Sequence, residues 1–317
     1  MRSFAASGPA FPQLDRLVSL DWTEWHALAD RLSVDLAGAA DRDRRIHHLY
    51  LPVLFFCAAR ARAATRRPVV IGIQAPQGAG KTTLVRHLIA RMADLGLRAA
   101  GVSIDDFYLP RADQLRLAAS YPGNPYLEHR GYPGTHDVAL GAATLDALRG
   151  LGPGSRATVR VPVYDKTAHS GRGDRAPDAA WRDVTGPLDV VFVEGWMLGF
   201  APVAESSLPE PDLVAPNRAL AEYAQWDRRL DAFVTLRPID PLFVMRWRVE
   251  AEAETASQGR PALDRAAIED YVRRFLPAYH LYGQGPGPVP EAHFLVYLDG
   301  ERRASPPPAD LDARRDD

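Results

Sequence analysis

Residues 69 to 83 read VVIGIQAPQGAGKTT. A β-branched apolar run leads into a loop with two glycines, and Gly80-Lys81-Thr82 then opens a stretch of helical spacing. Strand, loop and helix in that order form the P-loop arrangement. Gly78 and Gly80 let the backbone bend so that successive N–H groups turn inward around a phosphate, and the positive end of the following helix adds to them. Ala75, Pro76, Gln77 and Ala79 complete the loop. Lys81 is expected on the β- and γ-phosphates, Thr82 on Mg²⁺ through its hydroxyl, and Thr83 toward the α-phosphate side. The strict pattern asks for glycine at position 75, where an alanine is tolerable if its φ stays negative. An ordinary Gly-rich turn would leave the lysine and the paired threonines unexplained.

The bulk properties narrow the classes. With 317 residues, 46% of them hydrophobic, the chain is long enough for one large domain or a core with an appended module. A formal net charge of -2 gives no reason to invoke nucleic acid or an anionic membrane. The single cysteine, Cys57, excludes an intramolecular disulfide and fits a reducing compartment. No stretch approaches the ~20 apolar residues of a membrane helix, and a cytoplasmic location is expected. A short transit peptide fits less well, because Asp15 and Asp21 come early. Lysine stands only at Lys81 and Lys166, every other basic side chain apart from histidine being arginine. A lysine in such a background suggests a site that needs a compact ammonium.

Working outward, Trp25, Leu28, Leu32 and Leu36, and then Ile46, Leu49, Val53, Leu54 and Cys57, recur at helical spacing, with a kink expected at Pro52. These define a helical extension over 1–67, where His47 and His48 read as structural or surface residues. Leu84, Leu88, Met92 and Leu95 mark the buried stripe of the helix after the loop. Residues 99–105 read as a second strand ending at Asp105-Asp106, and 188–193 as a central parallel strand ending at Glu194. An acid at either strand tip faces the phosphates, because ligands gather at the carboxyl ends of parallel strands. The Pro-, Gly- and Tyr-rich stretch 109–136 is expected to be irregular. A strand over 157–164 delivers Tyr164-Asp165-Lys166, and later elements are a strand at 232–236, a helix beginning at Asp240-Pro241 and carrying Arg246 and Arg248, a helix through Ile268 to Tyr279, and a strand at 293–298. The expected fold is α/β, a mostly parallel sheet with helices on both faces. It comprises the extension, a P-loop domain over 68–300 with a helical lid near 240–262, and a disordered tail over 301–317.

The set APQGAGKTTL (75–84), SIDDFYL (103–109), RGYPGTHD (130–137), VPVYDKTAHSGRGDR (161–175), VFVEGWMLGF (191–200) and RWRVEAE (246–252) closely resembles the D-glycerate 3-kinases of plants and cyanobacteria. That family lies within the P-loop kinases that include phosphoribulokinase, uridine kinase and pantothenate kinase. The resemblance runs from about Val69 to Leu298, and the family's loop also reads APQG. It implies ATP and Mg²⁺ as cofactors, a small-molecule acceptor, and phosphorylation of D-glycerate at its 3-hydroxyl.

The resemblance also implies roles for individual residues. Asp105 is the candidate base and Glu194 the magnesium-associated carboxylate. Tyr164, Asp165, His169 and Arg172 stand where such kinases contact the acceptor, with Asp106 and Tyr108 beside them. Arg246 and Arg248 resemble lid arginines that close on the transferring phosphate, although residues two apart on a helix cannot share one face. Arg172 is the first choice for the acceptor carboxylate, supported by Arg130 and His136, with Lys166 as a further charge. Alternatives stay open: Asp106 as base with Asp105 as cap, Arg130 paired with Asp137 on the surface, another hydroxyl acceptor such as a nucleoside, pantothenate or a sugar phosphate, or a nucleotide-binding regulatory protein without acceptor chemistry.

Overall fold

The computed structural model describes residues 21–39, 41–257, 259, 265–283 and 289–308. In chain order its first elements are α1 (Trp22–Asp35), α2 (Leu51–Ala63), β1 (Val69–Gln74), α3 (Lys81–Asp94), β2 (Ala99–Ser103), α4 (Arg111–Ser120) and α5 (Val138–Arg149). Four short strands follow, β3 (Thr158–Val161), β4 (Tyr164–Asp165), β5 (Asp174–Arg175) and β6 (Arg182–Thr185). The chain continues through β7 (Val190–Gly195), α6 (Val214–Asp227), β8 (Ala232–Pro238), α7 (Phe243–Ser257), α8 (Arg265–Tyr282), β9 (His293–Leu298) and β10 (Ala304–Ser305).

The main sheet runs β10-β9-β8-β1-β7-β2, parallel throughout except for β10, which lies antiparallel on β9. β1 and β7 are buried at every residue, as their unbroken apolar runs require of central strands covered on both faces. The register sets Gln74 beside Gly195 and Thr235, and Ser103 beside Glu194. The P-loop and the acidic strand tips therefore open onto one edge, and the chain has the expected α/β fold.

The N-terminal helices share this core. Trp25 is fully buried and donates through Nε1 to Nδ1 of His47 at 3.0 Å, which makes His47 a structural residue. The expected kink at Pro52 takes another form. A π-helical turn, Ile46–Tyr50, precedes α2, and Pro52 falls in the first turn of α2, where a missing N–H costs least.

Three differences from the sequence reading have local causes. The stretch expected to be irregular holds α4, which starts directly after Pro110 at its N-cap. The strand expected over 99–105 stops at Ser103, because Ser103 and Asp106 form a reciprocal capping box around the 3₁₀ turn Ile104–Phe107. The tail expected to be disordered from 301 is placed as far as 308 and contains β10; residues 309–317 lie outside the described residues, as do 1–20 and part of the expected lid, 258 and 260–262.

Candidate active site

The phosphate loop is built as its sequence demands. Gly78 and Gly80 take φ of 78° and 91°, conformations that cost an L-residue energy, while Ala75 is not among the residues with positive φ, so its methyl is accommodated. Pro76 and Ala79 close the turn through Ala79 N–H to Pro76 O at 3.3 Å. Lys81 Nζ donates to Pro76 O at 3.1 Å. Thr82 Oγ1 donates to Glu194 Oε1 at 2.9 Å, joining the first turn of α3 to the tip of β7, with Thr83 exposed beside it. Burial pulls the Lys81 ammonium below the ordinary lysine range, against the opposing charges of Glu194 and Asp105.

Asp105 and Asp106 are separated by the capping box. Asp106, expected among the substrate contacts, caps the turn, its Oδ2 accepting from Ser103 N–H at 3.3 Å, and it also lines the cleft beside Thr82 and Glu194. The carboxylate of Asp105 receives Lys166 Nζ at 2.5 Å. Burial pushes the Asp105 carboxyl up, but the charge and hydrogen bond of Lys166 outweigh it and hold the group below the usual carboxylate range. Both lysines of the chain thus serve one acidic centre. A cleft of about 860 Å³ runs from Thr82, Ser103, Asp106 and Glu194 out between α3, β2 and β6.

Tyr108, His136 and Tyr164 wall the Asp105 side. Tyr108 stacks on His136 with ring centres 4.2 Å apart and meets Tyr164 edge-on at 5.3 Å. His136 is buried, its Nδ1 lies 2.8 Å from the Tyr223 hydroxyl, and its Nε2 has no hydrogen-bond partner. Burial drives its pKa down to about 3, so His136, expected to support an anion clamp, is a neutral hydrogen-bonding group at neutral pH. With a folded pKa below the ~6.5 of free imidazole, the unfolded chain binds the extra proton first, and stability is lost as pH falls from about 6.5 toward 3. The loss from this group should approach ~1.4 kcal/mol per pH unit. Urea unfolding at pH 7.5 and 5.5 should show a smaller drop for His136→Asn than for wild type; equal drops would mean that His136 titrates normally.

The loop 165–173 is fastened from within. Asp165, expected as an acceptor contact, forms an Asx turn, its Oδ1 accepting from Thr167 N–H and Oγ1 at 2.8 and 2.6 Å. Arg130 donates to the carbonyls of Gly171 at 2.9 Å, of Arg172, and of Lys166 at 3.3 Å, and its guanidinium lies 5.4 Å from the Tyr164 ring centre. It does not pair with Asp137, which instead caps α5 and meets Arg175 at 3.3 Å. His169 sits at φ 53° with Nε2 on Asp174 at 3.2 Å. Arg172, expected to clamp the acceptor, meets the His129 ring at 2.9 Å.

The two lid arginines part company as their spacing requires. Arg246, expected on the transferring phosphate, pairs with Glu250 at 3.0 Å and Glu301 at 2.8 Å. Arg248 pairs with Glu252 at 2.5 Å, and its guanidinium lies 4.6 Å from the ring centre of Tyr271, whose phenol feels the charges of Asp105 and Lys166. Sequence reasoning missed the groups that hold the loop from outside. The Tyr279 hydroxyl accepts from Gln77 N–H at 3.2 Å and donates to Gln77 Oε1 at 2.8 Å. Tyr279 was legible only as one member of a buried helical stripe.

A phosphate loop, a hydroxyl–carboxylate pair joining its helix to a strand tip and a lysine-paired aspartate at the edge of a parallel sheet define a P-loop kinase. The chain is 39% identical over 275 residues to the chloroplastic D-glycerate 3-kinase of Arabidopsis thaliana, a match covering 81% of this chain and 60% of that protein. It is 33% identical over 229 residues to the uncharacterized kinase mug58 of Schizosaccharomyces pombe, covering 68% of this chain and 81% of that one. The solved D-glycerate 3-kinase of Cryptococcus neoformans superposes with a TM-score of 0.73 at 29% identity, over 81% of this chain and 97% of that chain. No family model matches. The chain belongs to the kinase family that contains these proteins, the D-glycerate 3-kinase family. Among the described residues no helix is long and apolar enough to cross a membrane.

Proposed function

We propose that this kinase transfers the γ-phosphoryl group of ATP to the 3-hydroxyl of D-glycerate, giving 3-phosphoglycerate and ADP. The observation that carries the reading is Lys166 Nζ on Asp105 at 2.5 Å, beside the phosphate loop. An acceptor with a carboxylate at one end and the attacking hydroxyl at the other needs a cation near the base yet distinct from the one that serves the nucleotide. Lys81 serves the phosphates, Lys166 the glycerate carboxylate, and Asp105 takes the hydroxyl proton.

Thr82 and Glu194 fit Mg²⁺, because that ion takes one or two protein ligands and completes its octahedron with waters and substrate phosphates. Bound there, it would neutralise charge on the β- and γ-oxygens. Arg130 keeps the Lys166 loop in place, and neutral His136 offers Nε2 to a hydroxyl rather than to an anion. Cys57 is a buried free thiol, in keeping with a cytoplasmic assignment.

ADP release over a panel of D-glycerate, L-glycerate, glycerol, pantothenate and uridine tests the reading. D-glycerate should exceed the others, and glycerol used as well as glycerate would remove the carboxylate argument. Lys166→Ala should cost about 2 to 3 kcal/mol in kcat/KM for glycerate with ATP affinity kept, as expected for losing one partner of a charge-assisted contact. Arg172→Ala, being directed at His129, should cost less than about 1 kcal/mol in the same assay. If the two effects come out reversed, the clamp is Arg172.

A further inference from the structure

The turn joining β9 to β10 reaches the phosphate loop. Asp299 N–H bonds to Arg303 O and Arg302 N–H to Asp299 O, each at 2.9 Å, and Arg302 completes this tight turn with φ +61°. That is the left-handed position which hairpin loops of this kind normally fill with glycine. An arginine held there is a strained choice, and such strain persists where the side chain has work that glycine cannot do.

The side chain shows what that work is. Nε donates to Gly78 O at 2.7 Å, Nη1 to Glu250 Oε2 at 2.6 Å and Nη2 to Trp247 O at 3.4 Å, and the guanidinium lies 5.3 Å from the ring centre of Trp247. Trp247 is fully buried, donates to Gly300 O at 2.7 Å, and packs so closely on the loop that a Cβ on Gly78 would lie 2.7 Å from its own Cβ. In an anion-binding nest the amides face the ligand and the carbonyls face away. A cation fixed on the outward carbonyl of Gly78 holds that orientation before the nucleotide arrives.

We infer that Arg302 is a positioning residue for nucleotide binding, clamping Gly78 to α7 so that the phosphate loop is preorganised. It acts through the loop and touches no substrate. The inference rests on the nucleotide reading of the loop and not on the identity of the acceptor, so its readout is binding of a fluorescent N-methylanthraniloyl ADP with Mg²⁺ and no acceptor present.

Arg302→Gly separates the side chain from the fold, because it relieves the left-handed backbone while deleting the clamp. The glycine variant should melt no lower than wild type in the absence of nucleotide yet bind the ADP analogue about tenfold more weakly. Arg302→Lys, which restores a cation without the planar fork, should recover part of that loss. In the full reaction, KM for ATP should rise in the glycine variant with kcat and KM for the acceptor little changed. Wild-type affinity in Arg302→Gly, weakening matched by a lower melting temperature, or a lysine variant no better than glycine would each overturn the assignment.

Discussion

Replacing Lys81 by alanine is expected to lower the turnover number by about 10³-fold or more without unfolding the protein. Phosphoryl transfer passes through a loose transition state whose charge is spread over the transferring oxygens, so a cation placed on the β- and γ-phosphates contributes throughout the reaction. Lys81 Nζ rests on Pro76 O, a contact that a phosphate can replace. Burial pulls the ammonium below its usual range and a bound phosphate favours the charged form, so binding and protonation reinforce each other. Arginine should rescue poorly, since a planar fork on a longer stem does not reproduce a point charge inside a closed loop. Steady-state ADP release at saturating ATP, with urea unfolding to confirm a stability change under about 1 kcal/mol, measures this. Turnover within a few-fold of wild type would remove Lys81 from the chemistry.

The parts of the site legible in the sequence are those set by local chemistry. A buried parallel strand must be apolar throughout, so β1 and β7 announce themselves, and with them the loop after β1 and Glu194 at the tip of β7. The two lysines were legible for a compositional reason, standing alone among arginines. Long-range pairings were not. Nothing in RGYPGTHD or GRGDR tells that Arg130 spends its donors on the carbonyls of the 166–172 loop, or that Arg172 meets His129. The capping box that Asp106 completes was written in Ser103-Ile104-Asp105-Asp106, a local pattern that a strand assignment running on to Asp105 overrode. Arg302 lies in a stretch whose prolines and charges suggested disorder, and only the placement of β10 beside β9 brings it to Gly78. α6 was missed because its amphipathic signal is modest and its buried positions include Asn217 and Asp227, which hydrogen-bond to the loop 199–203.

Asp105→Asn is expected to lower the rate by about 10²- to 10⁴-fold with ATP binding little changed, because the amide keeps size and hydrogen bonding and removes only the proton acceptor. Asp106→Asn should instead cost about 0.5 to 2 kcal/mol of stability, the range for a weakened cap, with a small effect on rate. A damaging Asp106→Asn beside a mild Asp105→Asn would exchange the two roles. The pH profile carries the finer test. Burial favours the protonated Asp105, yet Lys166 more than offsets it, so in the free enzyme the carboxylate is ionised throughout the neutral range. A depressed carboxyl loses its charge only as pH falls through the folded value. Wild-type kcat/KM should therefore show no acid limb from this group above about pH 5. Lys166 is held above its usual range, with Asp105 outweighing the opposing effect of burial, so it adds no basic limb below about pH 10. Removing Lys166 leaves burial unopposed and moves the Asp105 pKa upward, so kcat/KM of Lys166→Ala should develop an acid limb at higher pH than wild type. Lys166→Arg, which keeps the charge, should suppress that limb even if glycerate binds poorly. A Lys166→Ala profile parallel to wild type from about pH 5 to 9 would show that Lys166 does not govern the base, and that Asp105 owes its ionisation to another neighbour.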